Sequence, residues 1–513
     1  APADDDFHSD TNRQVAGVEE ADVLKTDGRY LYILRDADLK ILRADGTDTA
    51  VVSTINCTLF DGKPQNGFLS PLEFYLRGDR LVVIVRYSPY GLSDADAFDQ
   101  IMSCTYALVY DIADRAHPVL LEQFAQSGQY MTSRMIGDML YTVSRYTVLA
   151  DRLEEERGTT YVPQISGGGK DGAMAAADIC LPETPPNKEY TVITAVTIQG
   201  QPARVSQKAT FHHTETVYVN QEHMLLASPR CEETGEGGAR SLHTYTDLQL
   251  FRLQDGQLTA AATAEIEGRL LNQFSVDEYE NHFRLAVHRY SDETVDGDFS
   301  SHSDTAVYVL DDDLRLTGSL TGIAAGESMQ SARFDGGIGY LVTFLRTDPL
   351  FTVDLSDPTA PKLLGELKIP GFSEYLHPFG DGLLFGLGRA ANEDGRVTGM
   401  KLSMFDVSDK AHVTEIATEE MPDTDSEASY NHKAIVISVE RGLIAFPDSQ
   451  GYRLYHYDAE EGFRLQVKVT IANAWEQQLR GAYIGDSFYV CGSDAITVYD
   501  MAKDGKSVEI PLN

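Results

Sequence analysis

Short runs in which hydrophobic and polar residues alternate recur along the whole chain, and each run ends at turn-forming residues. Segments 135–143 and 483–490 are typical, because in each of them two alternating runs flank a Gly-Asp pair. Gly and Asp tolerate the backbone angles of a two-residue turn, so each such segment predicts a β-hairpin. Long stretches with helical periodicity are not evident. The pattern therefore indicates an all-β fold.

A second repeated feature is an aspartate that follows an aromatic or aliphatic residue at the end of an alternating run. It occurs six times, at Asp111, Asp311, Asp354, Asp406, Asp458 and Asp500. The last five are separated by 43, 52, 52 and 42 positions, a period typical of propeller blades. We expect each carboxylate to accept a hydrogen bond from the backbone N–H two residues further on and so to close the turn to the next strand.

Together these features define a unit of four antiparallel strands, which is the composition of a propeller blade. Nine candidate units begin near Ala21, Pro71, Tyr130, Thr214, Gln273, Ser328, Ser373, Ser426 and Gln477. The third and fourth units lack the aspartate and contain long insertions, which favours the merger of two weak units. We therefore predict a β-propeller of eight four-stranded antiparallel blades, with nine blades as the alternative.

The repeat also changes the expected domain organisation. Length alone suggests about three domains for 513 residues, whereas the repeat predicts one propeller domain over residues 14–513 after an acidic leader, residues 1–13. Long insertions are expected on one face of that domain. They lie near residues 87–103, 150–189, 229–246 and 290–303.

Composition and charge narrow the function. Asp and Glu number 79 against 42 Lys and Arg, a formal net charge of −37. A chain this acidic is not expected to bind nucleic acid or anionic membrane surfaces. No run approaches 18 apolar residues, so no transmembrane segment is predicted in this chain.

Five widely spaced cysteines show no CxxC pair, which argues against zinc or thioredoxin-like chemistry. Cys57 falls in the link after the first unit and Cys104 in the insertion of the second, while Cys180 and Cys231 fall in insertions of adjacent units. These positions predict the disulfides Cys57–Cys104 and Cys180–Cys231, with Cys491 as a buried thiol. Five unpaired cysteines are the alternative.

Several segments resemble a known family. They are residues 14–28, 271–279, 347–351 and 367–378, together with Asn431-His432-Lys433-Ala434. They are similar to secreted bacterial proteins that contain a C-terminal β-propeller domain distantly related to WD repeats. The resemblance runs from about Thr11 to the end, although Asn431 replaces the acidic residue that the family tends to have. It implies a secreted or surface-exposed bacterial protein and no particular activity.

Alignment of the units on their hairpin glycines predicts which side chains face the central channel. The candidate ligand-binding residues are Asp22, Lys25, Arg134, Asp277, Glu278, Arg333, Glu374, His377 and His432. Their cations suit a carboxylate, a sulfate or an acidic sugar. The alternative is that neighbouring charges pair, Asp22 with Lys25 and Glu374 with His377, and only hold the blades together.

Metal and catalytic chemistry have weaker signals. The acidic runs 292–298 and 423–427 allow loose calcium sites, but neither completes a calcium-binding loop, so we expect no cofactor. No nucleophile elbow or phosphate-binding loop occurs, and the catalytic residues are unknown.

We therefore expect a monomeric extracellular binding module whose partner is an unidentified protein, glycan or cell-wall component. One alternative is a secreted hydrolase or lyase of acidic polysaccharides, which would use His377 and His432 with Glu374 or Glu427 in the channel. Another is a structural component of the cell envelope.

Overall fold

The computed structural model describes residues 7–64, 67–90, 103–148, 161–181, 188–235, 239–295, 298–344, 348–380, 382–392, 395–502 and 507–512. These residues are dominated by β-strands. The short 3₁₀ helices are Ala176–Asp178, Gln273–Ser275, Glu427–Ser429, His432–Ala434 and Ala474–Glu476. In these described ranges, no helix has both the length and the apolar character needed to cross a membrane. Most of the predicted insertion 87–103 and large parts of 150–189 lie outside the described residues.

The chain divides into two compact units. Unit 1 comprises residues 1–213, 252–259 and 476–513, and unit 2 comprises residues 214–251 and 260–475. Each unit is built from groups of four antiparallel strands, which we number as blades in chain order.

Unit 1 contains blades 1, 2, 3 and 9. Blade 1 consists of strands Leu24–Thr26, Tyr30–Arg35, Asp38–Arg43 and Ala50–Asn56. Blade 2 consists of Gly67–Arg77, Arg80–Pro89, Cys104–Asp111 and Val119–Ser127. Blade 3 consists of Gln129–Ile136, Met139–Thr147, Glu189–Thr197 and Ala203–Thr210. Blade 9 consists of Arg480–Ile484, Ser487–Cys491, Ala495–Asp500 and Val508–Pro511. The short strands Val18–Glu19 and Ile179–Cys180 extend blade 3, and Gln164–Ser166 and Gly172–Ala173 extend blade 2.

Unit 2 contains blades 5 to 8 and most of blade 4, of which residues 252–259 belong to unit 1. Blade 4 consists of Thr216–Val219, His223–Thr234, Ala239–Gln254 and Gln257–Glu267. Blade 5 consists of Val276–Tyr279, His282–Val295, Asp298–Leu310 and Leu316–Ile323, with Arg269–Leu270 paired to its second strand. Blade 6 consists of Ser328–Asp335, Ile338–Phe344, Asp348–Asp354 and Lys362–Ile369. Blade 7 consists of Phe372–Pro378, Leu383–Ala391, Val397–Asp406 and Thr414–Pro422. Blade 8 consists of Val436–Ser438, Leu443–Asp448, Gly451–Asp458 and Gly462–Thr470.

The described residues thus form nine four-stranded groups, and the preference for eight is not supported. The expected merger of the third and fourth units is not found, because blades 3 and 4 belong to different sheets. Blades 4 and 5 belong to one sheet instead, because the described parts of the predicted insertions 229–246 and 290–303 extend their strands, and Ala239 to His243 pair with Val295 to Ser291. Each blade nevertheless keeps four strands of its own.

The six repeated aspartates close turns as predicted. The carboxylate of Asp354 accepts a hydrogen bond from the Ser356 N–H at 2.9 Å, and Asp406 accepts one from the Ser408 N–H at the same distance. The equivalent bonds are made by Asp111, Asp311, Asp458 and Asp500. At Asp354 the pKa falls to about 2, because its carboxylate accepts hydrogen bonds from both the hydroxyl and the N–H of Ser356.

The core consists of side chains packed between the faces of consecutive blades in the same unit. Tyr32 and Ile41 of blade 1 pack with Leu81 and Val83 of blade 2 in one buried cluster. Similar clusters join blades 6 and 7 and blades 7 and 8. Alternation along each strand supplies apolar side chains to both faces, so every blade contributes to the core on two sides.

A glycine in blade 7 tests how closely its first two strands approach. A Cβ atom at Gly388 would lie 1.9 Å from the carbonyl oxygen of Phe372 and 2.7 Å from the backbone nitrogen of Glu374. We expect Gly388→Ala to lower the free energy of unfolding by about 1–3 kcal/mol, because the backbone must move. The midpoint of urea unfolding measures this.

Gly337→Ala is the matched control, since the nearest atom to a Cβ atom there is the Cβ atom of Ser356 at 3.4 Å, an ordinary van der Waals distance. Its midpoint should stay within about 0.5 kcal/mol of the parent chain. Equal effects of the two substitutions would contradict the close strand approach in blade 7.

Candidate anion-binding site

Residues 7–23 of unit 1, here called the N-terminal strap, run along the first strands of three blades. His8 pairs with Ile484 in blade 9, and Asp22 pairs with Phe74 in blade 2. Val18 and Glu19 pair with blade 3 through Ile136 and Met135. Backbone hydrogen bonds hold the strap in place, among them Phe74 N–H to the Asp22 carbonyl at 2.9 Å.

The three predicted site residues of unit 1 are buried and engaged with other groups. Asp22 accepts a hydrogen bond from Arg480 Nε at 3.1 Å, and both side chains are nearly inaccessible to solvent. Lys25 Nζ donates to the hydroxyl of Thr11 and to the carbonyl of Glu20, each at 2.8 Å. These contacts tie the strap to the blades.

Arg134 completes this internal network. Its guanidinium lies 3.7 Å from the buried carboxylate of Glu20 in the strap. All three predicted residues of unit 1 therefore have structural partners within the strap and the blades, which agrees with the alternative that charges there hold the blades together.

The partner of Asp22 is nevertheless not the predicted one. Asp22 and Lys25 are three positions apart, and an odd separation places two side chains on opposite faces of an extended segment. The partner, Arg480, comes from blade 9 instead. The predicted pair Asp22–Lys25 is wrong for this reason.

In unit 2, the acids of blade 5 also have close partners. Asp277 forms an ion pair with Arg284, a buried residue whose guanidinium lies 4.9 Å from the ring centroid of Tyr279. Burial raises the pKa of Asp277, against the opposing effect of Arg284. Glu278 accepts hydrogen bonds from Asn220 at 2.5 Å and shares one with His223 Nδ1 at 2.8 Å.

Glu374 and His377 in blade 7 do not pair with each other. Glu374 Oε2 accepts a hydrogen bond from Arg389 Nε at 3.1 Å, whereas His377 Nδ1 shares one with the Tyr375 hydroxyl at 2.8 Å. Tyr375 and His377 are two positions apart and so lie on the same side of the strand, unlike Glu374. The predicted pair Glu374–His377 is therefore also wrong.

The remaining predicted residues of unit 2 meet around one aromatic ring, that of Phe274. The Arg333 guanidinium carbon lies 5.1 Å from its centroid, and the His432 ring packs edge-on at 5.0 Å. The ring of Tyr375, whose hydroxyl shares a hydrogen bond with His377, also contacts the Phe274 ring, with 5.8 Å between the two centroids. We call Phe274, Arg333, Tyr375, His377 and His432 the Phe274 cluster.

Local structure fixes each member of the Phe274 cluster. Phe274 lies in the 3₁₀ helix Gln273–Ser275, where the side chain of Asn272 accepts a hydrogen bond from the Phe274 N–H at 2.9 Å. Arg333 lies in the first strand of blade 6, opposite Tyr340. His432 begins the 3₁₀ helix His432–Ala434, which the side chain of Asn431 caps. Asn431, the departure from the family pattern, therefore has a capping role.

Arg333 differs from the paired cations of unit 1. Among the described residues, no carboxylate lies within ion-pair distance of its guanidinium, and its Nε atom is buried without a hydrogen-bond partner. Arg333 is half-buried, and a cation that is partly removed from water without a counter-ion costs free energy. An anion bound at this guanidinium would recover part of that cost, so the Phe274 cluster is a candidate anion site.

The charge of the cluster is concentrated on Arg333. Burial lowers the pKa of His377 to about 3, and the neighbouring charges of Arg333 and His432 act in the same direction. His377 is thus a neutral imidazole near pH 7. Neutral His377 can share hydrogen bonds but adds no second positive charge.

Phe274 and Tyr375 were not among the predicted site residues. Both lie in segments that carry the family resemblance, 271–279 and 367–378. Membership of these segments is the one signal that singles the two residues out, and it does not by itself mark either ring as a partner of Arg333.

The acidic runs proposed for calcium are partly engaged elsewhere. Asp425 forms an ion pair with Arg389, and Glu427 accepts a hydrogen bond from Asn431 at 2.6 Å. Residues 296 and 297 of the other run lie outside the described part of the chain. Within the described ranges, no group of three His, Cys, Asp or Glu side chains is arranged to hold a metal ion. The loose calcium sites stay an untested prediction.

All five cysteines are free thiols in the structure, and neither predicted disulfide is formed. Cys57 and Cys104 are buried in the same apolar cluster, and burial raises the pKa of each thiol to about 12. Cys180 is half-buried and Cys231 is exposed. Cys491 is buried, with a pKa also raised to about 12.

Comparison with known proteins identifies the class to which this fold belongs. A family model described as a beta propeller domain matches residues 8–503. The chain therefore belongs to the beta propeller domain family.

The relatives with the matching sequences are archaeal and uncharacterised. One from Archaeoglobus fulgidus is 39% identical over 267 residues, which is 52% of this chain and 39% of the relative. One from Methanocaldococcus jannaschii is 42% identical over 174 residues, 34% of this chain and 26% of the relative. The matched parts thus span well under half the length of these relatives, and the bacterial origin implied by the resemblance gains no support from them.

Solved structures with a similar fold share only 9% sequence identity. The C-terminal WD40 domain of Sif2 has a TM-score of 0.40, covering 94% of this chain and 96% of that domain. BamB from Moraxella catarrhalis has a TM-score of 0.37, covering 66% of this chain and 89% of that protein.

The buried ion pair of the strap gives a stability prediction. Asp22→Asn removes the charge that faces Arg480 and leaves a buried guanidinium without its counter-ion. We expect the free energy of unfolding to fall by about 3–5 kcal/mol. Urea unfolding followed by circular dichroism measures the change.

Asp138→Asn serves as the control, because the ion pair of Asp138 with Arg77 at 3.4 Å is exposed. Its loss should cost at most about 1 kcal/mol. If Asp22→Asn unfolds at the same urea concentration as Asp138→Asn, the strap does not depend on the pair with Arg480.

His377 gives a prediction for the pH dependence of stability. An unfolded histidine takes up a proton near pH ~6.5, whereas the folded His377 has a pKa of about 3. The unfolded state binds more protons between these values, so the free energy of unfolding decreases as the pH falls from about 6.5 towards 3.

His377→Gln should flatten this decrease. We expect the difference in urea midpoint between pH 7.5 and pH 4.5 to be smaller in His377→Gln than in the parent chain. His302→Gln changes an exposed histidine and should keep the parent difference. An unchanged pH dependence in His377→Gln would show that the ring is protonated as readily in the folded state as in the unfolded state.

Proposed function

We propose that this chain is a binding module of the beta propeller domain family that holds an anionic ligand group at the Phe274 cluster. One observation carries the proposal: the Arg333 guanidinium lies on the Phe274 ring, and no carboxylate among the described residues neutralises it. Buried guanidinium groups elsewhere in the chain, such as Arg284 and Arg480, have carboxylate partners.

The chemistry of arginine suits this role. Its planar guanidinium donates parallel hydrogen bonds to carboxylate, sulfate or phosphate oxygens, and an aromatic face beneath it restricts its orientation. The ring of Phe274 and the hydroxyl of Tyr375 add an apolar surface and a polar group beside it. Such a combination suits an acidic sugar, which presents both carbon–hydrogen faces and charged oxygens.

The alternative of a hydrolase or lyase that acts on an acidic polysaccharide receives less support. A general base works best with a pKa near the working pH, whereas His377 has a pKa of about 3. Glu374, the carboxylate suggested as its partner, bonds to Arg389 instead.

We also propose that the protein acts outside the cell or on its surface, with a protein, glycan or cell-wall component as partner. This rests on the family resemblance, and monomeric behaviour is part of the same proposal. The free cysteines add no support for an oxidising compartment.

An acidic glycan array with neutral glycans of the same backbones tests the binding proposal. We expect the parent chain to bind acidic glycans and Arg333→Ala to bind them about ten- to a hundredfold more weakly, since a hydrogen bond to a charged group contributes about 1.5–3 kcal/mol.

Arg315→Ala is the matched control, because Arg315 is an exposed arginine of the same unit that pairs with Asp313 at 2.7 Å. It should bind as the parent chain does. Equal binding by Arg333→Ala and Arg315→Ala, or no binding by the parent chain, would reject the proposed site.

A further inference from the structure

We propose that the Phe274 cluster selects a singly charged oxyanion, a carboxylate or a sulfate ester, over a doubly charged phosphate. This inference rests on the proposed function and defines the charge class of its ligand. It follows from the number of positive charges that the surrounding elements provide.

Several elements pack around Arg333 and bring titratable or charged groups with them. The strand of Arg333 packs against the second and third strands of blade 5, the first strand of blade 7 and the helix Gln273–Ser275. The groups include Arg284 with its partner Asp277 and the neighbouring Glu278 in blade 5, Glu374 and His377 in blade 7, and His432 with the neighbouring Lys433, since His432 contacts the Phe274 ring. Most of these charges are already neutralised locally. Asp277 pairs with Arg284, and Glu374 pairs with Arg389.

Arg333 is therefore the cation available to a ligand in this set, because Lys433 and His432 each have an interaction of their own. The positive charge of Arg333, which would attract an anionic ligand, also opposes a second positive charge close to it. Arg333 helps to keep His377 neutral, since a proton on that ring would lie close to the guanidinium in a poorly solvated place.

The charges next to Arg333 in blade 5 are already paired with each other. Asp277 pairs with Arg284, which donates a hydrogen bond to the Gly336 carbonyl and lies 5.1 Å from the ring centroid of Phe334, the residue after Arg333. The whole chain has a net charge of −37. One charge of an incoming anion would be neutralised by Arg333, whereas a second would find no further unpaired cation among the groups named above.

A set of hexose derivatives with one changed group separates these cases. The probes are glucuronate, glucose 6-sulfate, glucose 6-phosphate and uncharged glucose, each titrated into the full chain at pH 8 by calorimetry. Glucose 6-phosphate is mostly a dianion at pH 8, because the second pKa of a phosphate ester is ~6.

We expect glucuronate, glucose 6-sulfate or both to bind at least about tenfold more tightly than glucose 6-phosphate, and glucose to bind least. The ratio between glucuronate and glucose 6-sulfate shows which monoanion the site prefers. Glucose 6-phosphate binding as tightly as the better monoanion, or more tightly, would overturn the inference.

A second pH adds an internal control. At pH 5.5 glucose 6-phosphate becomes largely a monoanion, while glucose 6-sulfate keeps its charge, so the ratio of their affinities cancels changes in the protein. We expect the phosphate to approach the sulfate at pH 5.5. A ratio that does not change between pH 8 and pH 5.5 would contradict selection by charge.

Two variants separate the failure of this inference from that of the proposed function. Arg333→Ala should weaken every anionic probe, and Arg333→Lys, which keeps the charge but lacks the planar fork, should keep the preference for monoanions with lower affinity. Circular dichroism checks that both variants are folded. If Arg333→Ala binds all probes as the parent does, or the parent binds none, the anion site itself is rejected. If only the order of the probes is reversed, the site stands and its charge preference is wrong.

Discussion

The ion pair between Asp22 and Arg480 joins residues 458 positions apart in the chain, and the arrangement of unit 1 depends on it. Asp22 belongs to the N-terminal strap and Arg480 to the first strand of blade 9, and both are almost completely buried. Two buried charges are tolerated as a pair. If either side chain is removed, the charge of the other stays buried in an apolar environment without this counter-ion. Glu20 of the strap and Arg134 of blade 3 form a second buried pair of this kind. The strap thus contributes the carboxylates, and the blades contribute the cations.

The same blade position has a different outcome in unit 2. Arg134 and Arg333 both lie three residues before a hairpin glycine, and each stands opposite a tyrosine, Tyr141 and Tyr340. In unit 1 the strap brings Glu20 to Arg134, whereas at Arg333 the 3₁₀ helix Gln273–Ser275 brings an aromatic ring. One repeated position therefore has a carboxylate partner in unit 1 and an aromatic partner in unit 2.

The sequence predicts best those features that depend on neighbouring residues. The aspartate turns were predictable because the carboxylate and its N–H donor are two residues apart, and the hairpins because Gly137 and Gly485 adopt the positive φ that their turns require. The number of blades was less accessible, since blades 3 and 4 lack the aspartate. The partners of Asp22 and Glu374 could not be read from spacing, because Arg480 and Arg389 reach them through the pairing of strands. Phe274 was missed because nothing local marks a ring as the platform for a distant arginine.

The Phe274 cluster also shows how one half-buried charge, that of Arg333, limits the chemistry of its neighbours. Arg333 is held near His377, and a poorly solvated site cannot easily hold two cations, so the imidazole stays neutral far below its usual pKa. A group that is protonated only near pH 3 is a weak base and a poor acid–base catalyst at neutral pH. It is, however, well suited to share a hydrogen bond, as it does with Tyr375. The electrostatics that weaken the catalytic alternative are thus the same ones on which the proposed binding of a single negative charge rests.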